Sequence, residues 1–283
     1  MALPLLHGFT DQGPIKEGAT RWNPRRIRCT PDASHVEAAT DLVVKFRDDR
    51  ATSTAALISE VVAGHLLEAG RIGSLHRHLV SLTSDFAESI GAKRERKIKA
   101  GLHFGTVFKL GVDDGPPDGV DDVAKPQQVI DIYAFDVWLC NFDRNNEGNC
   151  LLQPNAGGKH ELIASDQSDC FGGAEAIATG AWKSVLKTKR SAETLGCFMH
   201  ALYRAGVVAA IPDAIRKVRA STRSIGTAIA EVPVEWWDDV QMEPGELNRA
   251  LGERAERLEE FVPNWGTLDV GVVAAAQEDA GGI

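Results

Sequence analysis

The stretch that decides the reading is residues 141–169, NFDRNNEGNCLLQPNAGGKHELIASDQSD. Asn, Asp and Gly satisfy local backbone groups in caps and turns and disfavour helix interiors, so the polar knot 141–149 must end whatever element precedes it. Residues 150–153 (CLLQ) and 161–164 (ELIA) then read as two short strands joined by the turn 154–159 (PNAGGK), and the second strand runs directly into Ser165 and Asp166. A hairpin of this length returns the chain on itself. Asp166 is therefore expected beside Asp143 despite the intervening sequence.

Upstream of the knot, residues 127–142 (QQVIDIYAFDVWLCNF) are apolar apart from Asp131 and Asp136 and predict a helix buried on most sides. The Gly-, Pro- and Asp-rich run 111–126 (GVDDGPPDGVDDVAKP) marks a boundary between two units, 1–112 and 113–283. Earlier still, residues 41–46 (DLVVKF) form a short β-rich run carrying Lys45. Residues 54–70 (TAALISEVVAGHLLEAG) place Leu57, Ile58, Val61, Val62, Leu66 and Leu67 on a helical stripe, with Glu60 beside it and Gly70 as a stop. A second helix-like region is expected at 74–100, then a strand over 102–110 broken at Gly105. Downstream, helices are expected over 192–208, 212–230 and 244–262, the last with Leu247, Leu251, Leu258 and Phe261 on one face, and a frayed tail from about residue 272.

The 283 residues, 43% hydrophobic and 25% charged, suffice for a substantial core in one large domain or two compact lobes. The five cysteines, Cys29, Cys140, Cys150, Cys170 and Cys197, are odd in number and contain no C-x-x-C pair, which points to reduced thiols in a cytoplasmic protein. No run approaches the roughly 18 apolar residues of a membrane span. A net charge of −9 argues against broad nucleic-acid binding. Two basic islands, 21–28 (RWNPRRIR) and 93–99 (KRERKIK), read as solvated faces, with a phosphate-bearing ligand as the sharper alternative. The chain lacks H-E-x-x-H, G-x-S-x-G and G-x-x-x-x-G-K-[ST], so zinc-protease, α/β-hydrolase and P-loop chemistries have no motif support. The histidines read as surface residues. Trp236 and Trp237 read as one buried anchor and one packed surface ring rather than a ligand platform.

The order of parts says more than any single motif. A buried helix, a polar loop with Asp-Arg and Asn, a strand, a tight turn, a strand and an Asp form the sequence by which kinase-type phosphoryl-transfer enzymes bring an aspartate and metal ligands to one spot. Taken alone, Lys45 is a solvated edge lysine, Glu60 a polar-face residue, and Asp143 with Asn149 an Asx-turn and helix stop. Their collinear arrangement with Asp166 shifts the balance to chemistry.

In this arrangement the chain resembles the HipA-like kinase family, which shares its catalytic elements with phosphatidylinositol kinases and, more distantly, with protein kinases. The resemblance is carried by DLVVKF, by ALISEVVAGHLLEAGRIG and HFGTVFKL, by FDVWLCNFDRNNEGN and LIASDQSDCF, and by VPVEWWDD with RALGERAERLEEF, spanning most of residues 40–262. It implies an α+β, bilobal protein-kinase-like fold with a small mixed N-lobe and a mainly helical C-lobe, ATP and Mg²⁺ as cofactors, and transfer of the γ-phosphoryl group to a hydroxyl, Ser or Thr of a protein substrate. Lys45 would meet the nucleotide phosphates with Glu60 as its ion-pair partner. Asp143 would orient the attacking hydroxyl, Asn149 and Asp166 would hold the metal, and Arg144 would steady the loop or a phosphate. The sequence departs from the family pattern at three places. The asparagine is six residues after Asp143 rather than five, which requires a one-residue bulge, transfer of the role to Asn145 or Asn146, or an impaired site. The only phosphate-loop candidate, 16–20 (KEGAT), has a single glycine, and Gln167 stands where relatives commonly have His. The competing reading these departures motivate is a pseudokinase-like nucleotide-binding or partner-docking module without turnover.

Overall fold

Alternation of apolar and polar residues at the start of the chain builds a barrel. In the computed structural model, which describes residues 3–15, 23–31, 38–114, 123–144, 146, 148–188 and 210–262, five strands close on one another: β1 (Leu5–Pro14), β2 (Arg25–Thr30), β3 (Thr40–Lys45), β4 (Arg77–Leu82) and β5 (Gly101–Val107). Their order is β1-β2-β3-β5-β4, and a parallel pairing of β1 with β4 (Leu5 opposite Leu79) completes the ring. Leu6, Ile27, Cys29, Leu42, Val44 and Val80 point inward, as period-2 alternation requires, with Phe46, Ile90 and Ile98 filling the ends.

The region 74–100 differs from the helical expectation. RHLVSL forms β4, and Thr83 then caps α2 (Ser84–Arg94) by accepting a hydrogen bond from Phe86 N at 3.3 Å. Gly105 does not break β5 either. A Cβ there would stand 2.9 Å from Val80 Cγ2 and 3.1 Å from Leu42 Cδ1, so glycine is what the barrel interior admits at that point.

Helix α1 (Ala51–Ala69) crosses beneath the barrel and is buried over most of its length. Its apolar residues join the main helical core, not the barrel's. That core surrounds α3 (Gln127–Leu139), with α4 (Ala174–Thr179), α5 (Trp182–Val185), α6 (Ile211–Ser221), α7 (Ile225–Ala230), α8 (Val234–Trp237), α9 (Pro244–Glu256) and α10 (Leu258–Phe261). The expected helix 212–230 is divided by a 3-10 turn over Thr222–Ser224, and 244–262 divides at Arg257. Leu247, Leu251, Leu258 and Phe261 are buried as the stripe predicts. The expected helix 192–208 and the tail from 272 lie outside the described residues.

A second sheet, β6 (Asp113–Asp114), β7 (Cys150–Pro154) and β8 (His160–Ala164), carries the predicted hairpin with Leu152 opposite Leu162. Its turn closes through Asn155 N donating to Lys159 O at 2.8 Å, with Gly158 at φ +72°. The strand β6 inside the 111–126 loop was not expected. At its far end β8 bonds to the α1–β4 connection: Ala164 N donates to Gly73 O at 2.8 Å. The hairpin is thereby tied to the connection that leads into the barrel.

Candidate functional site

Lys45 ends β3. Since Leu42 and Val44 face into the barrel, the alternate residues Val43 and Lys45 face the cleft below it. The Lys45 ammonium lies 2.5 Å from Glu60 Oε1 on α1 and 2.6 Å from Asp166 Oδ1, which follows β8. One cation is thus shared by two carboxylates, the three groups coming from three different parts of the chain. Burial alone would lower the Lys45 pKa, but Asp166 and Glu60 outweigh it and hold it above the usual lysine range. Burial likewise pushes Asp166 up, yet the Lys45 charge and hydrogen bond, with Ser168, bring it down to about 2. Glu60 goes the other way: burial raises its carboxyl, and Lys45 offsets that only in part. Asp166 takes a left-handed backbone conformation, φ +48°, stabilised by Ser168 N–H and Oγ–H donating to Oδ1 at 3.2 and 2.5 Å.

The loop after α3 begins at Cys140, which caps the helix with φ +51°. It then winds as two successive turns, Asn146 N to Asp143 O at 3.2 Å and Asn149 N to Asn146 O at 3.1 Å. Gly148, immediately before Asn149, takes a left-handed backbone with φ +84°. As a result Asn149 returns to Asp143: its Nδ2 donates to Asp143 O at 2.6 Å and to Oδ2 at 2.8 Å. Asn146 also donates to Asp143, from an exposed position. Asn145 lies outside the described residues. Burial raises the Asp143 carboxyl, with the Asn149 hydrogen bond opposing and the Asp166 charge adding to the rise.

Arg144 is 1% exposed and does not line the cleft. It grips Asp136 of α3 through Nε and Nη2, both at 2.9 Å, donates through Nη1 to Ser165 O at 2.6 Å and to Asn149 O, and reaches Gln167 Oε1 at 2.9 Å. Helix, loop and Asp166 segment are tied at one guanidinium, whose planar fork suits this use. Asp136 and Gln167 are the residues that sequence reasoning did not assign to this network. The available signal was an acid on an otherwise apolar helix, since a buried carboxylate demands a partner.

These side chains open on a cleft of about 640 Å³. Ile15, Pro24, Val43, Phe104 and Leu151 give it apolar walls, while Lys45, Glu60, Asp143, Asn149 and Asp166 converge at its polar end. Asp143 and Asp166 are close enough to influence each other's ionisation, and both carry oxygens into the cleft. Among the described residues no group of three or more His, Cys, Asp or Glu forms a protein cage for a metal. The Asp166 carboxylate and the Asn149 amide oxygen, leaving further positions to water and phosphate, nevertheless fit Mg²⁺. The candidate phosphate loop 16–20 lies outside the described residues.

The remaining sequence candidates are internal. Arg25 and Lys93 pair with Asp11, Arg26 and Arg28 with Asp41, and Lys99 with Asp239, so these members of the basic islands are neutralised within the chain. Cys29, Cys140, Cys150 and Cys170 are buried free thiols, and Cys197 lies outside the described residues. Trp236 is fully buried and Trp237 packs partly exposed. His103 departs from the surface expectation: it is fully buried, accepts a hydrogen bond from Arg47 N at 2.9 Å, and burial drives its pKa down to about 3.

Residues 38–168 match the model of a family described as HipA-like kinase. Among solved structures, the chain is similar to a proinflammatory kinase of Helicobacter pylori, CtkA, with a TM-score of 0.51 at 13% identity, covering 94% of this chain and 100% of that one. The fold is therefore a mixed α/β fold of the kind found in that kinase. No curated protein matches the chain. No helix among the described residues is long and apolar enough to cross a membrane.

Proposed function

We propose, from the match of residues 38–168 to the HipA-like kinase model, that this protein is a HipA-like, ATP- and Mg²⁺-dependent phosphotransferase that moves the γ-phosphoryl group to a hydroxyl, with Ser or Thr of a protein as acceptor. The observation that carries the proposal is the sharing of Lys45 between Glu60 and Asp166 directly beside the Asp143–Asn149 pair in a single cleft. In this reading the molecule is bilobal, with the barrel unit to about residue 112 above the cleft and the helical unit below it.

Lys45 is a compact charge already fixed by Glu60, and it presents its ammonium to the nucleotide phosphates with little ordering left to do. Asp166, held ionised, and the Asn149 amide oxygen would hold the cation, which would supply neutralisation of charge on the phosphoryl oxygens. Asp143 takes the proton of the acceptor hydroxyl as the new P–O bond forms and the bond to the leaving ADP oxygen breaks. Arg144 acts as a positioning residue here, since its donors are committed to the backbone and to Asp136. The apolar walls suit a nucleobase, and the protein acts away from membranes, in the cytoplasm.

Incubation with γ-labelled ATP tests the proposal. Label is expected to transfer to protein with wild type and to fall by at least about 100-fold with Asp166→Ala, as loss of a principal electrostatic group does in comparable sites. Equal incorporation by both proteins would remove Asp166 from the reaction. Mg²⁺-dependent ATP binding with no label transfer would mark the chain as a nucleotide-binding module.

A further inference from the structure

Helix α1, which carries Glu60, lacks the charges that helix ends ordinarily recruit. It has no acidic residue in its first turn, no basic residue in its last, and its N-cap Arg50 makes no side-chain capping bond. Side chains from other elements hold it at two points instead. At its first turn, the Asp239 carboxylate accepts hydrogen bonds from Thr54 Oγ1 at 2.8 Å, Arg47 Nε at 2.9 Å and Lys99 Nζ at 2.9 Å, while Arg47 Nη2 also donates to Glu235 O at 3.0 Å. Further along, the Glu231 carboxylate stands 3.0 Å from His65 Nδ1 and 3.1 Å from Arg77 Nη1. The same guanidinium donates to Val61 O at 3.1 Å and to Glu68 Oε2 at 2.9 Å.

Glu231 and Asp239 bound one stretch, 231–239 (EVPVEWWDD), seated in the helical core by the fully buried Trp236. Glu60 lies between their two points of attachment on α1. Because Lys45 is divided between Glu60 and Asp166, withdrawal of Glu60 leaves the ammonium to Asp166 alone, where it would compete with a cation for that carboxylate. We infer that residues 231–239 form a clamp that holds α1 in register and keeps Glu60 on Lys45, making Asp239 and Glu231 positioning residues for Mg²⁺–nucleotide binding although neither lines the cleft. The consequence for nucleotide rests on the phosphotransferase reading, whereas the clamp itself does not.

Two measurements separate these. In nucleotide-free protein, acylation of the Lys45 amine read by mass spectrometry is expected to rise severalfold in Asp239→Ala, towards the level of a Glu60→Gln control, with Lys93 as internal reference. Unchanged Lys45 labelling overturns the clamp. In the second, Asp239→Ala is expected to weaken Mg²⁺–ATP binding about tenfold, a usual size for coupling between sites, and to add nothing in a Glu60→Gln background. Equal losses in both backgrounds would show that Asp239 does not act through Glu60. If wild type binds no Mg²⁺–ATP, the phosphotransferase reading fails and the labelling still decides the clamp. Asp239→Asn and Glu231→Gln, which keep size and shape, carry both measurements should the alanine variant fail to fold.

Discussion

The two cleft aspartates are shifted in opposite directions from the ordinary carboxylate value, and that separation has a measurable consequence. Asp166 lies at about 2, whereas burial raises Asp143 above its ordinary 3.8. The sign follows: Asp166 stays ionised where Asp143 titrates, so an acid limb in the rate reports one of the raised carboxyls, Asp143 or Glu60, and the reading in which Asp143 is the base assigns it to Asp143. The limb is expected to vanish in Asp143→Asn, with the residual rate lower by about 10²–10⁴, the usual contribution of a general base; a pH–rate profile checks both. For stability the depressed Asp166 value works in the other direction. Its contribution is complete above 3.8 and is lost as pH falls towards 2. Arg144 is the residue whose removal should hurt folding most, because Arg144→Ala strands the buried Asp136 charge, at a cost of about 3–5 kcal/mol measurable by denaturant unfolding. Lys at 144 cannot reproduce the fork that reaches Asp136, Ser165 and Gln167 together, so it should recover little of that loss.

At the scale of elements, the loop 141–149 depends on one backbone conformation. Gly148 at φ +84° lets Asn149 turn back to Asp143. Gly148→Ala is expected to cost about 1 kcal/mol through the left-handed backbone, and Gly148→Asn less, since Asn tolerates that region. Both should be visible as shifts in unfolding midpoint, with the Mg²⁺ requirement for ATP binding rising in the same order. The sequence displayed this loop and its hairpin clearly because turn residues and short β-rich runs are local signals. It concealed β4: in RHLVSL only part of an alternation is present, and the basic start His76-Arg77-His78 suits a helix surface equally well. Gly105 was misleading for a related reason. A glycine inside a strand marks either a break or a close approach, and only the positions of Val80 and Leu42 distinguish them.

Across the whole molecule, ligand binding and stability should be linked. Mg²⁺–ATP at about 100 times its dissociation constant would stabilise the folded state by about 2.7 kcal/mol. A thermal shift present with ATP and Mg²⁺, reduced with chelator and lost in Asp166→Ala, is the expected pattern. The meeting of Lys45, Glu60, Asp143, Asn149 and Asp166 in one cleft was legible from their collinear motifs. The packing of α1 into the helical core was not, since an amphipathic stripe states that a helix is buried without stating against what. Nor was the ring closure by β1 and β4, which joins strands far apart in sequence through main-chain pairing alone. That closure carries a consequence for regulation. Where the ring is closed, Leu5–His7 against Leu79–Ser81, an incoming peptide finds no unpaired amides and carbonyls to extend, so a partner that approaches that seam must be recognised through side chains and surface shape, not by lending a strand.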